Sequence, residues 1–215
     1  METTQECMIK NQICPWGVFD RRVLNTLKTT PREFFIPESF RYLAHADMQT
    51  PIGHGQVTFS PKEEARILQA LDIQQDENVL EIGTGCGYFT ALLAKQAKHV
   101  STVDVYEDFV QDAVRKLTQQ GIENVTFEVG DFLRDWSSDY QYDAIVITGS
   151  VQKIPQNTLK MIKKHGRIFV VLGDAPAMSA CLFVRGANGA WLQQNLFETV
   201  TPRLLHANEM NNFQF

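Results

Sequence analysis

From Ser60 onward the apolar positions switch between two periods, one that suits a buried strand and one that suits an amphipathic helix. Val79-Leu80-Glu81-Ile82 is a short β-branched run that predicts a strand, and Tyr88 to Ala94 supplies good helix formers. Val100 to Asp104 predicts a second strand, Phe109 to Gln120 a helix ending at Gly121, and Val125 to Val129 a third strand. Tyr142 to Ile147 is a fourth, followed by a helix over Gln156 to Lys163 and an apolar strand over Ile168 to Leu172. Upstream, Ser60-Pro61-Lys62-Glu63 carries the signature of a helix start, with Ala65, Ile67, Leu68 and Leu71 on the inner side. This alternation predicts an α/β fold, a doubly wound and mostly parallel sheet covered on both faces. Ala180 to Val184 and Gly189 to Val200 are joined by a turn too short for a crossover. They predict a C-terminal antiparallel hairpin that brings the sheet to seven strands.

Residues 1 to 60 read differently and are expected to form a helical and loop extension ahead of the 61–215 domain. Asp20 suits the N-cap of a helix over Arg21 to Lys28, with Val23, Leu24 and Leu27 at helical spacing. Phe34, Phe35, Phe40 and Tyr42 predict an aromatic core cluster. Asp47 to Gln56 holds two glycines around His54 after Pro51, which fits a shaped loop rather than a helix or an interior strand.

Composition narrows the function classes. The 215 residues are 44% hydrophobic with a net charge of -5, and no Lys or Arg run exceeds Lys163-Lys164. Nucleic acid is therefore not an expected partner. No apolar run reaches membrane-spanning length, and the N-terminus lacks a basic region followed by an apolar core, so the expected location is the cytoplasm. The four cysteines show no CxxC pairing, so neither a metal site nor a disulfide framework is expected.

The strand ending at Ile82 turns through Gly83-Thr84-Gly85-Cys86-Gly87 into a helix, leaving free N–H groups beneath any ligand above the turn. The spacing is GxGxG, and Tyr88 stands where a dinucleotide fingerprint needs its third glycine. Glu81 would repel a pyrophosphate and suits an ammonium or sulfonium, charges that S-adenosylmethionine carries. In open α/β sheets ligands sit at the carboxyl ends of the strands. There Asp104-Val105 lies 21 positions beyond Gly83 and suits two ribose hydroxyls. Gly130-Asp131-Phe132 offers an acceptor for an adenine amine beside an aromatic ring, and Thr148-Gly149-Ser150 leaves room for a substrate.

The Glu81 to Gly87 motif, Asp104 and Gly130-Asp131 resemble the motifs of class I S-adenosylmethionine-dependent methyltransferases. Pro31 to Glu38, Ala46-Asp47 and above all Pro51-Ile52-Gly53-His54-Gly55-Gln56 resemble the protein-L-isoaspartate O-methyltransferases. Tyr142 to Ile145 and Ile154-Pro155 are similar to that family too. The resemblance implies a Rossmann-like methyltransferase sheet and a repair activity that methylates the α-carboxylate of an isoaspartyl residue in a protein or peptide. It also places Asp47 and the Ile52 to Gln56 loop on the substrate side, and implies neither a metal nor a general base.

One departure bears on the acceptor. Where the family reads Thr-Ile-Ser-Gln-Pro, this chain reads Val57-Thr58-Phe59-Ser60-Pro61, and Phe59 stands at the serine thought to act in the active site. Phenylalanine donates no hydrogen bond. Thr58 or Ser60 is the candidate replacement, with Phe59 itself expected to line the acceptor opening. A different small-molecule or protein acceptor, or a cofactor-binding relative without activity, are the alternative readings.

Overall fold

A computed structural model describes residues 3–207. Thr3 caps helix α1 (Thr4–Met8), which winds on through residues 9–16 to Gly17. Asp20 caps α2 (Arg21–Thr29) by accepting from the backbone N–H groups of Arg22 and Val23, as its position predicts. The short α3 (Arg32–Phe35) follows. The predicted aromatic cluster does not form as one unit: Phe35 is buried, whereas Tyr42 is 82% exposed on a 3-10 turn over residues 38–43. The shaped loop is a small antiparallel hairpin, β1 (Pro51–Gly53) and β2 (Gln56–Val57), turned by His54 and Gly55 at positive φ.

Ser60 starts α4 (Pro61–Leu71), with Glu63 Oε2 accepting from its backbone N–H at 2.7 Å. Then come β3 (Asn78–Ile82), α5 (Tyr88–Ala94), β4 (His99–Asp104), α6 (Glu107–Gln119) and β5 (Val125–Val129). β6 (Tyr142–Val151), α7 (Gln156–Met161), β7 (Ile162–Asp174), β8 (Ala177–Arg185) and β9 (Trp191–Glu198) complete the chain order. The seven-stranded sheet runs β5-β4-β3-β6-β7-β8-β9, parallel from β5 through β7 and antiparallel at β8 and β9. The mostly parallel sheet and its closing hairpin are as the pattern predicts.

Several boundaries differ from expectation, with β7 opening at Ile162 instead of Ile168. The helix expected to reach Lys163 stops at Met161, because Ile162 pairs with Tyr142 and Lys163 Nζ donates to Asp143 Oδ2 at 2.8 Å. Strand pairing and an ion pair outweigh two further helical residues. β6 also runs past Ile147, and Ser150 donates its N–H to the Pro202 carbonyl at 2.9 Å.

The core forms on both faces of the sheet. On one face Leu68, Leu71, Ala91, Leu92 and Val146 pack with Met8, Val23, Leu27 and Phe35, so the first sixty residues and the sheet share one apolar interior. α5 is buried along its whole length between them, which explains why its sequence lacks a polar stripe.

Candidate cofactor and acceptor site

The β3–α5 turn is shaped by contacts that leave no room for side chains. A Cβ on Gly83, at φ 98°, would lie 2.1 Å from Thr148 Oγ1. That hydroxyl reaches the carbonyls of Ile82 (2.9 Å) and Gly83 (2.8 Å), locking the end of β3 to β6. Gly87, at φ 81°, packs against Ala113 and Leu117 of α6, so its role is close approach of α5 to α6 rather than ligand contact.

Above this turn lies a cavity of about 960 Å³ including its mouth. Thr84, Gly85, Cys86, Asp104, Val105 and Thr148 line it, and so do Gly130, Asp131 and Phe132, all at the predicted strand ends. Asp104 Oδ2 accepts from Gly85 N–H at 2.9 Å and Oδ1 from Tyr106 N–H at 3.0 Å. Burial holds the Asp104 carboxyl above the usual aspartate range, against the pull of the backbone N–H groups of Gly85, Tyr106, Val105 and Thr84. Each oxygen keeps a further lone pair, the requirement for gripping two ribose hydroxyls. Asp131 Oδ1 accepts from Leu133 N–H at 3.0 Å, and Oδ2 pairs with His206 Nδ1. The acid expected to face an adenine amine is therefore already partnered from the chain's tail.

Glu81 does not sit where the sequence places it. Its side chain is fully buried and absent from the cavity lining, with Oε2 accepting from the hydroxyls of Thr90 and Thr102. Burial pushes its carboxyl up to about 8, so it is a neutral structural acid at pH 7 rather than a counter-charge for a ligand. The period-2 geometry of β3 turns Glu81 inward, toward α5 and β4.

On the acceptor side, Ile52 and Gln56 line the cavity, and Gly53, His54, Gly55 and Asp47 do not. The His54 ring stacks on Tyr106 with centroids 4.0 Å apart, and His54 Nε2 lies 2.9 Å from Asp108 Oδ2. Asp47 pairs with Lys62 Nζ at 2.6 Å. Phe59 is 6% exposed and lines the cavity, edge-on to Phe89 and Phe169. Thr58 lines it as well, but its hydroxyl oxygen accepts from Arg32 Nη2 at 3.0 Å and Thr50 N–H at 3.1 Å. Ser60 is outside the lining, at the start of α4.

The cavity also takes in residues that the sequence pattern does not single out: Glu64, Tyr88, Phe89, Tyr106, and Leu204 and Leu205 of the tail. Tyr106, two residues past Asp104, was within reach of strand-end counting. The tail residues arrive only through tertiary contacts such as the Leu204 N–H to Ser150 carbonyl bond of 2.9 Å.

The family profile for protein-L-isoaspartate(D-aspartate) O-methyltransferase (PCMT) matches residues 3–201. A protein-L-isoaspartate O-methyltransferase of Myxococcus xanthus is 40% identical over 171 residues, covering 80% of this chain and 81% of its own length. Protein-L-isoaspartate O-methyltransferase 1 of Syntrophobacter fumaroxidans is 34% identical over 188 residues, covering 87% and 88%. Among solved structures, a Plasmodium falciparum chain assigned to the same enzymes and complexed with S-adenosyl-L-homocysteine superposes with a TM-score of 0.81. It is 18% identical and covers 94% of this chain and 99% of that one, a likeness of fold. With the match running through the glycine turn and the Pro51 to Gln56 hairpin alike, the chain belongs to the protein-L-isoaspartate(D-aspartate) O-methyltransferase family.

Proposed function

We propose that the protein is an S-adenosylmethionine-dependent O-methyltransferase that esterifies the α-carboxylate of isoaspartyl residues in damaged proteins. The observation that carries this reading is the family match over residues 3–201, which includes every cavity-lining stretch up to Thr201. The cavity fits the cofactor. Asp104 presents a buried carboxylate at its wall, each oxygen accepting one backbone N–H.

When bound, the cofactor supplies an electrophilic methyl group on a sulfonium centre. The chain's own part is to hold, orient and exclude water. Asp104 and Val105 grip the ribose side, Gly130 and Phe132 flank the base, and Thr84 to Cys86 form the floor. An acceptor carboxylate is ionised at neutral pH, so no side chain has to remove a proton, and alignment and desolvation supply the rate. Ile52, Gln56 and Phe59 wall the acceptor side, with the first sixty residues contributing most of that wall. A reducing cytoplasm suits a chain whose Cys7, Cys14, Cys86 and Cys181 form no disulfide.

The test is incubation with methyl-labelled cofactor and an isoaspartyl peptide beside its aspartyl twin. A base-labile methyl ester on the isoaspartyl peptide alone is expected, and none at saturating peptide sinks the reading. Phe59 favours a second reading, a different carboxylate acceptor with an apolar body, because its ring stands where the family has a serine. A panel of carboxylic acids in the same assay separates the two.

A further inference from the structure

The cofactor assigned above has two ends, and the described structure fits only one of them with predicted residues. Asp104 ends β4 and Asp131 follows β5, so both acids lie to one side of β3 in the sheet. An adenosine gripped there directs the rest of the molecule across the glycine turn toward β6 and β7. Glu81, the acid expected to meet its positive charge, faces the interior. Glu64 is the remaining acid of the cavity lining. It stands on α4, which packs against β7, β9 and α5, on the opposite side of β3 from Asp104.

Two buried polar atoms at this end make no hydrogen bond among the described residues. Glu64 Oε2 makes no hydrogen bond, although Arg32 Nη1 donates to Oε1 at 3.3 Å and lies at the same 3.3 Å from Oε2 as an ion-pair contact. Tyr88 Oη is also buried and unpartnered. Both side chains line the cavity, and both residues are about 1% exposed. A buried acceptor and a buried hydroxyl without partners cost stability unless something else satisfies them. The lone pairs of Oε2 suit an ammonium, and the Tyr88 O–H suits a carboxylate oxygen. An α-amino acid carries both groups on one carbon.

We infer that Glu64 and Tyr88 bind the amino-acid head of the cofactor, the Glu64 carboxylate accepting from its α-ammonium and the Tyr88 hydroxyl donating to its α-carboxylate. This rests on the cofactor named above and not on the identity of the acceptor. Arg32 Nη1 of α3 stands 3.3 Å from both Glu64 oxygens and hydrogen-bonds only Oε1, while Glu63 on the same helix, Tyr88 of α5 and the Cys86 thiol are the other titratable groups around it. Burial and Glu63 push the Glu64 carboxyl up, with Arg32 opposing, to about 8 without ligand. An ammonium arriving at Oε2 favours the ionised form, so binding of the head at pH 7 releases a proton.

Calorimetry on the whole chain with S-adenosylhomocysteine and with 5′-methylthioadenosine tests this, because the second ligand keeps the adenosine and the thioether and lacks the head. Glu64→Gln should weaken S-adenosylhomocysteine by roughly tenfold or more and leave methylthioadenosine within about twofold of the wild type. Tyr88→Phe keeps the Arg32–Glu64 pair. It should weaken the first ligand by roughly threefold to tenfold with the same selectivity, and it decides the matter if Glu64→Gln does not fold. In wild-type protein, titrations in buffers of different ionisation heat should show proton release with S-adenosylhomocysteine and none with methylthioadenosine. Equal losses for both ligands, or no loss for either, overturn the assignment. So does unchanged S-adenosylhomocysteine affinity with a raised KM for an acceptor peptide bearing a free amine, which would give the pair to the acceptor. A selective loss alongside an absent isoaspartyl ester would sink the acceptor reading and leave this one standing.

Discussion

Arg32 Nη2 donates to the carbonyl oxygen of Phe59 at 2.8 Å, tying the acceptor wall to a guanidinium that is wholly buried. The same side chain reaches the Ala44 carbonyl at 3.0 Å, the Thr58 hydroxyl at 3.0 Å and Glu64 at 3.3 Å, and it lies 5.0 Å from the centre of the Tyr88 ring. It is the joint between α3, the segment that joins β2 to α4, and α5. Removing the guanidinium strips the Ala44 and Phe59 carbonyls, the Thr58 hydroxyl and the Glu64 carboxyl of a buried donor, so Arg32→Met should lower the unfolding free energy by about 3–5 kcal/mol. Arg32→Lys should recover only part of this, since an ammonium has three donors and no planar fork to serve these four acceptors. Urea unfolding followed by circular dichroism measures both.

Two buried carboxyls make stability fall as pH rises. Glu64 and Glu81 are each pushed from 4.5 to about 8, chiefly by burial. The folded chain therefore binds more protons than the unfolded chain between those values. This stability is fully present below about pH 4.5 and is lost as pH climbs through about 8. Each group contributes a slope of up to about -1.4 kcal/mol per pH unit in that window. Glu81→Gln keeps an acceptor for Thr90 and Thr102 and removes the ionisation. Unfolding free energies measured from pH 5 to 8 should fall less steeply in that variant than in the wild type.

Much of the scaffold was legible because its signals are local. The alternation from Val79 to Leu172, the cap at Ser60 and the glycine turn all depend on residues close in sequence, and the structure keeps each. What was not legible depends on partners distant in sequence. The inward turn of Glu81 depends on Thr90 and Thr102, which a strand pattern cannot name. The early end of α7 comes from the pairing of Ile162 with Tyr142, 20 positions earlier. Tyr42 looked like core because it is aromatic, yet it lies on a turn that contributes no buried residue. The Asp104 end of the site was readable since strand ends collect ligands by topology. The Glu64 end was hidden because an acid on the fourth residue of a helix reads first as part of its N-terminal turn.

Asp104 is the residue proposed to grip the ribose. Asp104→Asn keeps size and shape but loses charge, and its amide turns an N–H toward either the Gly85 or the Tyr106 N–H. Affinity for S-adenosylhomocysteine should fall by roughly tenfold to a hundredfold. Methylthioadenosine should lose as much, because it carries the same ribose. A loss confined to S-adenosylhomocysteine would place the ribose elsewhere.

His54 acts on the site without lining it. Its ring covers Tyr106 at an interplanar angle of 9°, and Tyr106 does line the cavity. The β1–β2 hairpin is thereby fastened over the Asp104 loop, with the His54 bond to Asp108 as a second tie. An aromatic pair of this kind is worth about 0.5–1.5 kcal/mol. His54→Ala should therefore raise the dissociation constant for S-adenosylhomocysteine by roughly twofold to tenfold, mainly through faster release in a stopped-flow displacement. Unchanged release would mean that the hairpin closes without the stack.

Phe59 holds two duties that one substitution can separate. Its ring meets Phe89 and Phe169 edge-on, with centroids 6.2 Å and 6.0 Å away, so the residue belongs to the core. The same ring lines the cavity, at the position where the family resemblance implies a serine. Phe59→Ser should cost about 3–5 kcal/mol of stability, as large-to-small core changes do, while Phe59→Leu costs less. Adenosine-side contacts are untouched, so methylthioadenosine should bind both variants within about threefold of the wild type. The informative quantity is the ratio of kcat/KM for an isoaspartyl peptide to that for a carboxylic acid with an apolar body. A ratio cancels the loss of folded enzyme. Phe59→Ser should raise it and Phe59→Leu should leave it near the wild-type value, because only serine adds a hydroxyl at the acceptor wall. A ratio equal in all three proteins would confine Phe59 to its packing role and return the choice of acceptor to Ile52 and Gln56.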